Sequence, residues 1–338
     1  MRTDPSTTYL GIALKNPVVV AACPLPGEMD VLRKLEEFGA AAVVMPSLFE
    51  EQIEHSQALA TGGSDREGIV PMVDELAHFQ TLKEYNKGPD AYLKHISSAK
   101  LAVSIPIIGS LNVTGPGDAC RYAARIQEAG ADALELNIFF LATDPQTTSR
   151  EVEARYVEVV ASVRERISIP LAVKISPYFT ALPNLATRLV EAGANGLVLF
   201  NRFLQPEIDL DAMRVAPRLT LSTHDELRLA LRWIGLLHGR IPCSLAASGG
   251  AHFADDVVKL LLAGADVVMV ASTLYRHGVA VLQTLVEGLV YWLESNDFQS
   301  LEQMKGILSQ HKCSDPGAFE RANYTKALAT YVAEAGLP

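Results

Sequence analysis

Apolar and polar positions along the chain follow a two-beat rhythm. Four aliphatic runs each follow a Gly-Ala step that closes a helix-like segment: "EEFGAAAVVM", "EAGADALELN", "EAGANGLVLF" and "LAGADVVMVA". Their glycines, Gly39, Gly130, Gly193 and Gly264, stand where a helix C-terminus needs positive φ. Four other runs follow a proline: "KNPVVVAA", "SIPIIGSLN", "SIPLAVKIS" and "RIPCSLAAS". Proline disfavours helix at the residue before it and is tolerated at the first position of a strand. The two signals alternate as Pro17, Gly39, Pro106, Gly130, Pro170, Gly193, Pro242 and Gly264. They predict strands near residues 17–22, 41–46, 106–110, 133–138, 171–176, 196–201, 243–248 and 267–271.

Between these runs, segments such as "DVLRKLEEF", "REVEARYVEVVASVRERI" and "FADDVVKLLLAG" carry helical periodicity. Near-continuous Val, Ile and Leu suit strands buried on both faces of a parallel sheet. Eight βα units, with short links except after the second strand, predict an α/β fold, a (β/α)8 TIM barrel in a single domain. A doubly wound sheet is the alternative. It would carry a Gly-rich turn after its first strand, where this chain has "AACPLPGEMD". Residues 47–104 form an insertion with a predicted helix over 73–99, and residues 297–338 a C-terminal helical extension.

Of the 338 residues, 49% are hydrophobic, enough for one large core. A net charge of −10 with no Lys/Arg block argues against nucleic acid and anionic membranes as partners. There is neither an apolar leader in "MRTDPSTTYLG" nor a long uncharged apolar run, so a cytoplasmic protein is expected. Cys23, Cys120, Cys243 and Cys313 lie far apart, which suits no disulfide framework, iron–sulfur cluster or zinc site.

In such a barrel, chemistry gathers at the C-terminal strand ends. Read in order, the tips carry Ala21-Ala22, Met45-Pro46-Ser47, Ser110 with Asn112, Asn137, Lys174, Asn201, Ser248-Gly249-Gly250 and Ser272-Thr273. Lys174 interrupts an otherwise apolar strand. It is either a cation snorkelling to the rim or a fixed charge facing an anionic ligand. Asn137 and Asn201 either cap loop backbone or orient a ligand. "ASGGAHFADD", with a helix start near Phe253, and "MVASTLYRHG" occupy the two loops where such barrels bind phosphate. His252 and His277 flank those loops. The remaining histidines singled out, His55, His78, His95 and His311, lack partners at metal-ligand spacing.

The motifs "TTYLGIALKNPVVVAA", "ELN" at 135–137, the lysine of "VKIS", "ASGG" and "VAST" together resemble the class 1 dihydroorotate dehydrogenases over residues 7–295. These are FMN-dependent (β/α)8 enzymes. The resemblance implies FMN as cofactor, with Lys174 on the flavin N1–C2=O edge and Ala21 and Ala22 beside the ring. It places Gly249, Gly250, Ser272 and Thr273 at the phosphate, with Asn112 and Ser248 in the same cofactor-binding set. Asn137 and Asn201 match amides that contact flavin and substrate.

The substrate side departs from the family pattern. A Cys or Ser base lies three residues beyond the family's asparagine, and here Phe140 stands there, where it cannot accept a proton. Ala142 replaces a substrate-contacting asparagine, and Pro46 the lysine usual at the second strand tip. "ATGGSDREGIVPMVDEL" has no counterpart of the family's N-x-M-G-x-x-N loop. Thr143 and Ser47 are the candidate replacement bases.

Three functions fit these residues. The leading one is an FMN-dependent oxidoreductase acting on dihydroorotate or another flat carbonyl compound, expected as a homodimer with an electron-accepting partner protein. The second is a non-catalytic flavin-binding electron-transfer or regulatory partner. The third is a flavin-free phosphate-binding lyase or synthase in which Lys174 forms a Schiff base.

Overall fold

A computed structural model describes residues 3–60, 88–202, 207–216, 219–317, 320 and 323–334. The chain opens with an antiparallel hairpin, β1 (Thr7–Tyr9) and β2 (Ile12–Leu14), and enters the barrel at β3 (Val18–Val20) and β4 (Ala42–Val44). A two-residue strand, β5 (Leu48–Phe49), continues β4 along the edge of β6 (Ile107–Val113). β7 (Ala133–Ile138), β8 (Leu171–Ile175) and β9 (Gly196–Leu199) follow. After a second hairpin, β10 (Glu207–Asp209) and β11 (Arg214–Ala216), come β12 (Ser244–Ser248) and β13 (Val267–Val270). All neighbours around the ring β3-β4-β6-β7-β8-β9-β12-β13 are parallel, and β13 pairs with β3 to close it. The eight predicted strands are these eight, and the doubly wound alternative is set aside.

The two-beat rhythm has a physical cause at the N-terminal end of the barrel. Gly39, Gly130, Gly193 and Gly264 all take positive φ, which lets each helix end turn back into a strand. The polar residue two places beyond three of them then serves the neighbouring proline-led strand. Asp132 accepts from Ile107 N at 2.7 Å, Asn195 from Leu171 N at 2.9 Å and Asp266 from Leu245 N at 2.8 Å. The first pair of strands uses Asn16 instead, which accepts from Val18 N and donates to Gly39 O.

The core has two layers. Leu134, Leu136, Val173, Ile175, Leu197 and Leu199 face the surrounding helices, while their strand neighbours Ala133, Ala172 and Val198 fill the lumen. Tyr9, Leu10 and Leu14 of the first hairpin pack on the lumen residues. Leu10 N donates to Ser244 Oγ, and Thr7 Oγ1 to Asp266 O, so the hairpin plugs the N-terminal end.

Two expectations change. The links are not uniformly short after the second strand, because the segment from β9 to the helix Leu227–Leu237 carries the β10–β11 hairpin. Within the insertion, a helix runs over Pro89–Ala102, inside the predicted 73–99 at one end only. Residues 73–87 of that prediction lie outside the described residues. In the C-terminal extension, helices are formed at Leu301–Met304 and Asn323–Glu334.

Candidate active site

Strand register brings three of the predicted tip residues to one level. Asn112 is the Cα partner of Asn137, and Asn137 of Lys174, on the adjacent strands β6, β7 and β8. Asn201, just past β9, donates from Nδ2 to Asn137 Oδ1 at 2.7 Å, so the two asparagines are directly joined. Lys174 does not snorkel. Its side chain is only 8% exposed, and its ammonium points into the lumen, 3.3 Å from Glu135 Oε1. Glu135 lies one lumen position below Asn137 and is fully buried. Attention to the strand tips alone passes over this residue. Its signal was the same as that of Lys174, a charge breaking an apolar strand.

Ala21 and Ala22 follow β3 across the mouth, with Ala21 N bonded to Val270 O. The next residue, Cys23, has its thiol pushed up to about 11 by burial, which outweighs the lowering effects of Leu25 N–H, Tyr275 and the Lys174 charge. It is a protonated, buried thiol.

Around the predicted phosphate loops, the glycine pair divides its tasks. Gly249 has φ of +98° and open space where a Cβ would lie. Gly250 has φ of +82°, and a Cβ there would sit 2.2 Å from Leu227 N. Gly250 therefore lets the loop pack against the start of the helix Leu227–Leu237, while Gly249 leaves room for a ligand. The helix after β12 begins at Ala254 with Phe253 as N-cap, as expected. Asp256 Oδ2 accepts from His252 N and Phe253 N, the two amides just ahead of the helix.

A further residue, Ser222, ties the two loops together. Its N donates to Ser272 Oγ at 3.0 Å, and its hydroxyl accepts from Gly250 N and lies 3.3 Å from His252 Nε2. The capping sequence Thr223…Glu226 beside it was the available signal. Burial lowers the His252 pKa, against the raising effects of Ser222 and Asp256, so its ring is neutral at neutral pH. His277 is exposed at the end of the short helix Ser272–His277. A cavity of about 540 Å³ opens on one flank of the site, lined by Asn201, Ser248, Gly249, Tyr178 and Arg202.

The substrate side is different in kind. Phe140 is half-buried, packs on the core between barrel and helices, and lies under the Arg155 guanidinium, 4.0 Å from ring centroid to Cζ. Thr143 is exposed in the loop beyond it. Ser47 is buried with its hydroxyl 2.8 Å from that of Ser110. The four cysteines are free, and the described residues contain no His/Cys/Asp/Glu group that could hold a metal ion. No helix among the described residues is long and apolar enough to cross a membrane.

A closed parallel barrel with a buried lysine at the fifth barrel strand's tip, a joined amide pair and an open glycine loop after the seventh has the donors a flavin mononucleotide needs. The cation suits an electron-rich ring edge, the amides its polar rim, and the loops its phosphate. The chain belongs to the dihydroorotate dehydrogenase family, whose profile matches residues 6–293. Enzymes of this family are FMN-binding oxidoreductases acting on CH–CH groups. A protein of Aeropyrum pernix provisionally described as dihydroorotate dehydrogenase A (fumarate) is 28% identical, over 89% of this chain and 96% of its own. The dihydroorotate dehydrogenase B (NAD(+)) catalytic subunit of Thermoplasma volcanium is 26% identical, over 90% and 98%. That of Pyrococcus furiosus is 25% identical, over 88% and 96%.

Proposed function

We propose that the chain is an FMN-dependent oxidoreductase that keeps the flavin half of the family's site and has replaced the dihydroorotate half. Its substrate is then a small, flat carbonyl compound other than dihydroorotate. The observation that carries this reading is the contrast between the tip of β7 and the loop that follows it. Asn137 stays in the polar cluster with Asn201 and Lys174, while Phe140, three residues on, packs under Arg155.

In this reading Lys174 holds the N1–C2=O edge, and Ala21 and Ala22 offer backbone to the ring. Asn112 and Ser248 complete the ring and ribityl contacts. Gly249, Gly250, Ser272 and Thr273 surround the phosphate. Asn137 and Asn201 orient both flavin and substrate. FMN, when bound, supplies the hydride acceptor, and the protein supplies orientation and charge. The proton has no acceptor at Phe140. Of the two replacement bases, Ser47 is turned toward Ser110, and Thr143 lies on the exposed loop. General-base catalysis is commonly worth about 10²–10⁴ in rate, so dihydroorotate turnover should be poor. The dispersed free cysteines direct electrons to an acceptor outside the chain. The "catalytic subunit" in the names of the Thermoplasma and Pyrococcus relatives supports a partner protein in that role, and a homodimer is part of the same reading.

The purified chain is expected to carry one FMN, seen in its visible spectrum. In anaerobic stopped flow, dithionite should bleach the flavin fully, and saturating dihydroorotate slowly or not at all. Rapid reduction by dihydroorotate would overturn the substrate assignment, and failure to bind added FMN would overturn the whole reading. Phe140→Cys is expected to leave dihydroorotate inert, because the surrounding pocket has changed as well.

A further inference from the structure

Beneath the ring of amides, the lumen holds an ion pair with spare capacity. Glu135 is fully buried, Oε1 facing Lys174 Nζ at 3.3 Å, while Oε2 has no hydrogen-bond partner among the described residues. Tyr9, reaching up from the plugging hairpin, likewise has a buried hydroxyl without a partner. Burial, followed by the negative charges of Glu135 and Asp266, pushes that phenol well above its ordinary pKa. Desolvating two ions costs several kcal/mol each, and buried pairs are often no more stabilising than apolar residues of equal volume. A carboxylate that leaves one oxygen unused is a poor structural choice for a barrel core. Its placement against the single cation of the amide cluster gives it another role.

We propose that Glu135 is a positioning residue for Lys174, fixing its ammonium at the lumen axis and tempering with its own negative charge the pull of that cation on the flavin. The proposal rests on the FMN reading above. With FMN bound, Lys174 would serve both Glu135, 3.3 Å away, and the flavin N1–C2=O edge, which is neutral when oxidised and anionic when reduced. Reduction adds negative charge to the flavin, which the lysine favours and the carboxylate opposes, in an interior that screens charges weakly. Tyr9 stays neutral, and Cys23 on the far side is a protonated thiol, so neither adds charge to the balance. Glu135 therefore holds the flavin's midpoint potential below the value Lys174 alone would set.

The test is potentiometric titration of the FMN-loaded full chain at mildly alkaline pH. Glu135→Gln is expected to shift the reduction equilibrium at least tenfold toward reduced flavin, about +30 mV for a two-electron couple. Glu135→Asp, which keeps the charge, should stay near wild type. If E135Q lowers thermal stability but leaves the potential unmoved, the role is structural and the proposal is wrong. Should E135Q fail to fold, K174Q is compared with E135Q/K174Q, which carries no buried ion of this pair. The double variant should have the higher potential, and coincidence of the two would overturn the proposal. A wild-type chain that binds no FMN would remove the reading beneath it, an outcome distinct from bound flavin whose potential ignores Glu135.

Discussion

At the N-terminal end of the barrel one device is used three times, an Asp or Asn after a Gly-Ala step bonded to an amide at the start of the neighbouring strand. At the C-terminal end, amides, a lysine, a glycine pair and hydroxyls each occupy particular strands, and the bonds of Asn137, Lys174, Gly250 and Ser272 all differ from one another. The first end solves the same problem repeatedly, the satisfaction of a backbone group where a helix hands over to a strand. In the reading proposed above, the second end recognises one asymmetric ligand, which a repeated device cannot do. Repetition therefore marks stability, and its absence marks the site.

The sharpest way to break this comparison is at the glycine pair, because one member serves each purpose. Gly250→Ala drives a Cβ to 2.2 Å from Leu227 N on a backbone of positive φ. Overpacking and strain together should cost about 3 kcal/mol or more. Gly249→Ala has open space, so only the left-handed strain of about 1–2 kcal/mol applies. Chemical denaturation of the two variants should separate them clearly. FMN titration should show that the milder lesion still weakens binding, because the added methyl occupies the ligand's approach. Equal stability losses would refute the division of labour.

The next largest effect belongs to the repeated device. Asp132→Ala, Asn195→Ala and Asp266→Ala each leave one strand amide unsatisfied and should each cost about 1–3 kcal/mol. Asp266 should be the most sensitive, since it also accepts from Lys305 at 3.0 Å. Asp132 holds Lys100 in the same way but at a more exposed site. All three should bind FMN as wild type does. Loss of FMN affinity in step with stability would mean that the two ends are not independent.

The same contrast explains what was legible in the sequence. Eight strands and their order could be read because the proline and Gly-Ala signals recur. Lys174 could be read because a charge in an aliphatic strand has few explanations. The β1–β2 and β10–β11 hairpins were not legible, since strands of three residues with polar neighbours carry no period to detect. Glu135 went unread because it lies a layer below the tips, where only a paired charge can be tolerated. The sequence marks Gly250 as an anion-binding glycine, whereas its packing against Leu227, distant in sequence, is set by the tertiary structure. The engagement of the 252–253 amides by Asp256 is local, and "HFADD" could have disclosed it.

The smallest effect compares two histidines, the half-buried His238 and the buried His252, one toward each end. His238 donates from Nδ1 to Gly264 O near the helix-to-strand turn, and burial lowers its pKa. His252, between the phosphate loops, is lowered for the same first reason. Both rings are neutral, folded or unfolded, above the ordinary histidine value of about 6.5, and there they leave stability unchanged. As pH falls through that value, the unfolded chain takes up protons that the folded chain resists. Stability should therefore decline on acidification until the lowered folded pKa values are reached. A bound phosphate beside His252 favours its protonated form, whereas His238 is outside its reach. Saturating FMN should thus remove the part of the acid sensitivity that His252→Gln removes, and leave untouched the part that His238→Gln removes. Thermal melts of both variants, with and without FMN, over about pH 7 to about pH 5 would measure this. If FMN suppresses both parts equally, the phosphate is not bound between the loops of β12 and β13.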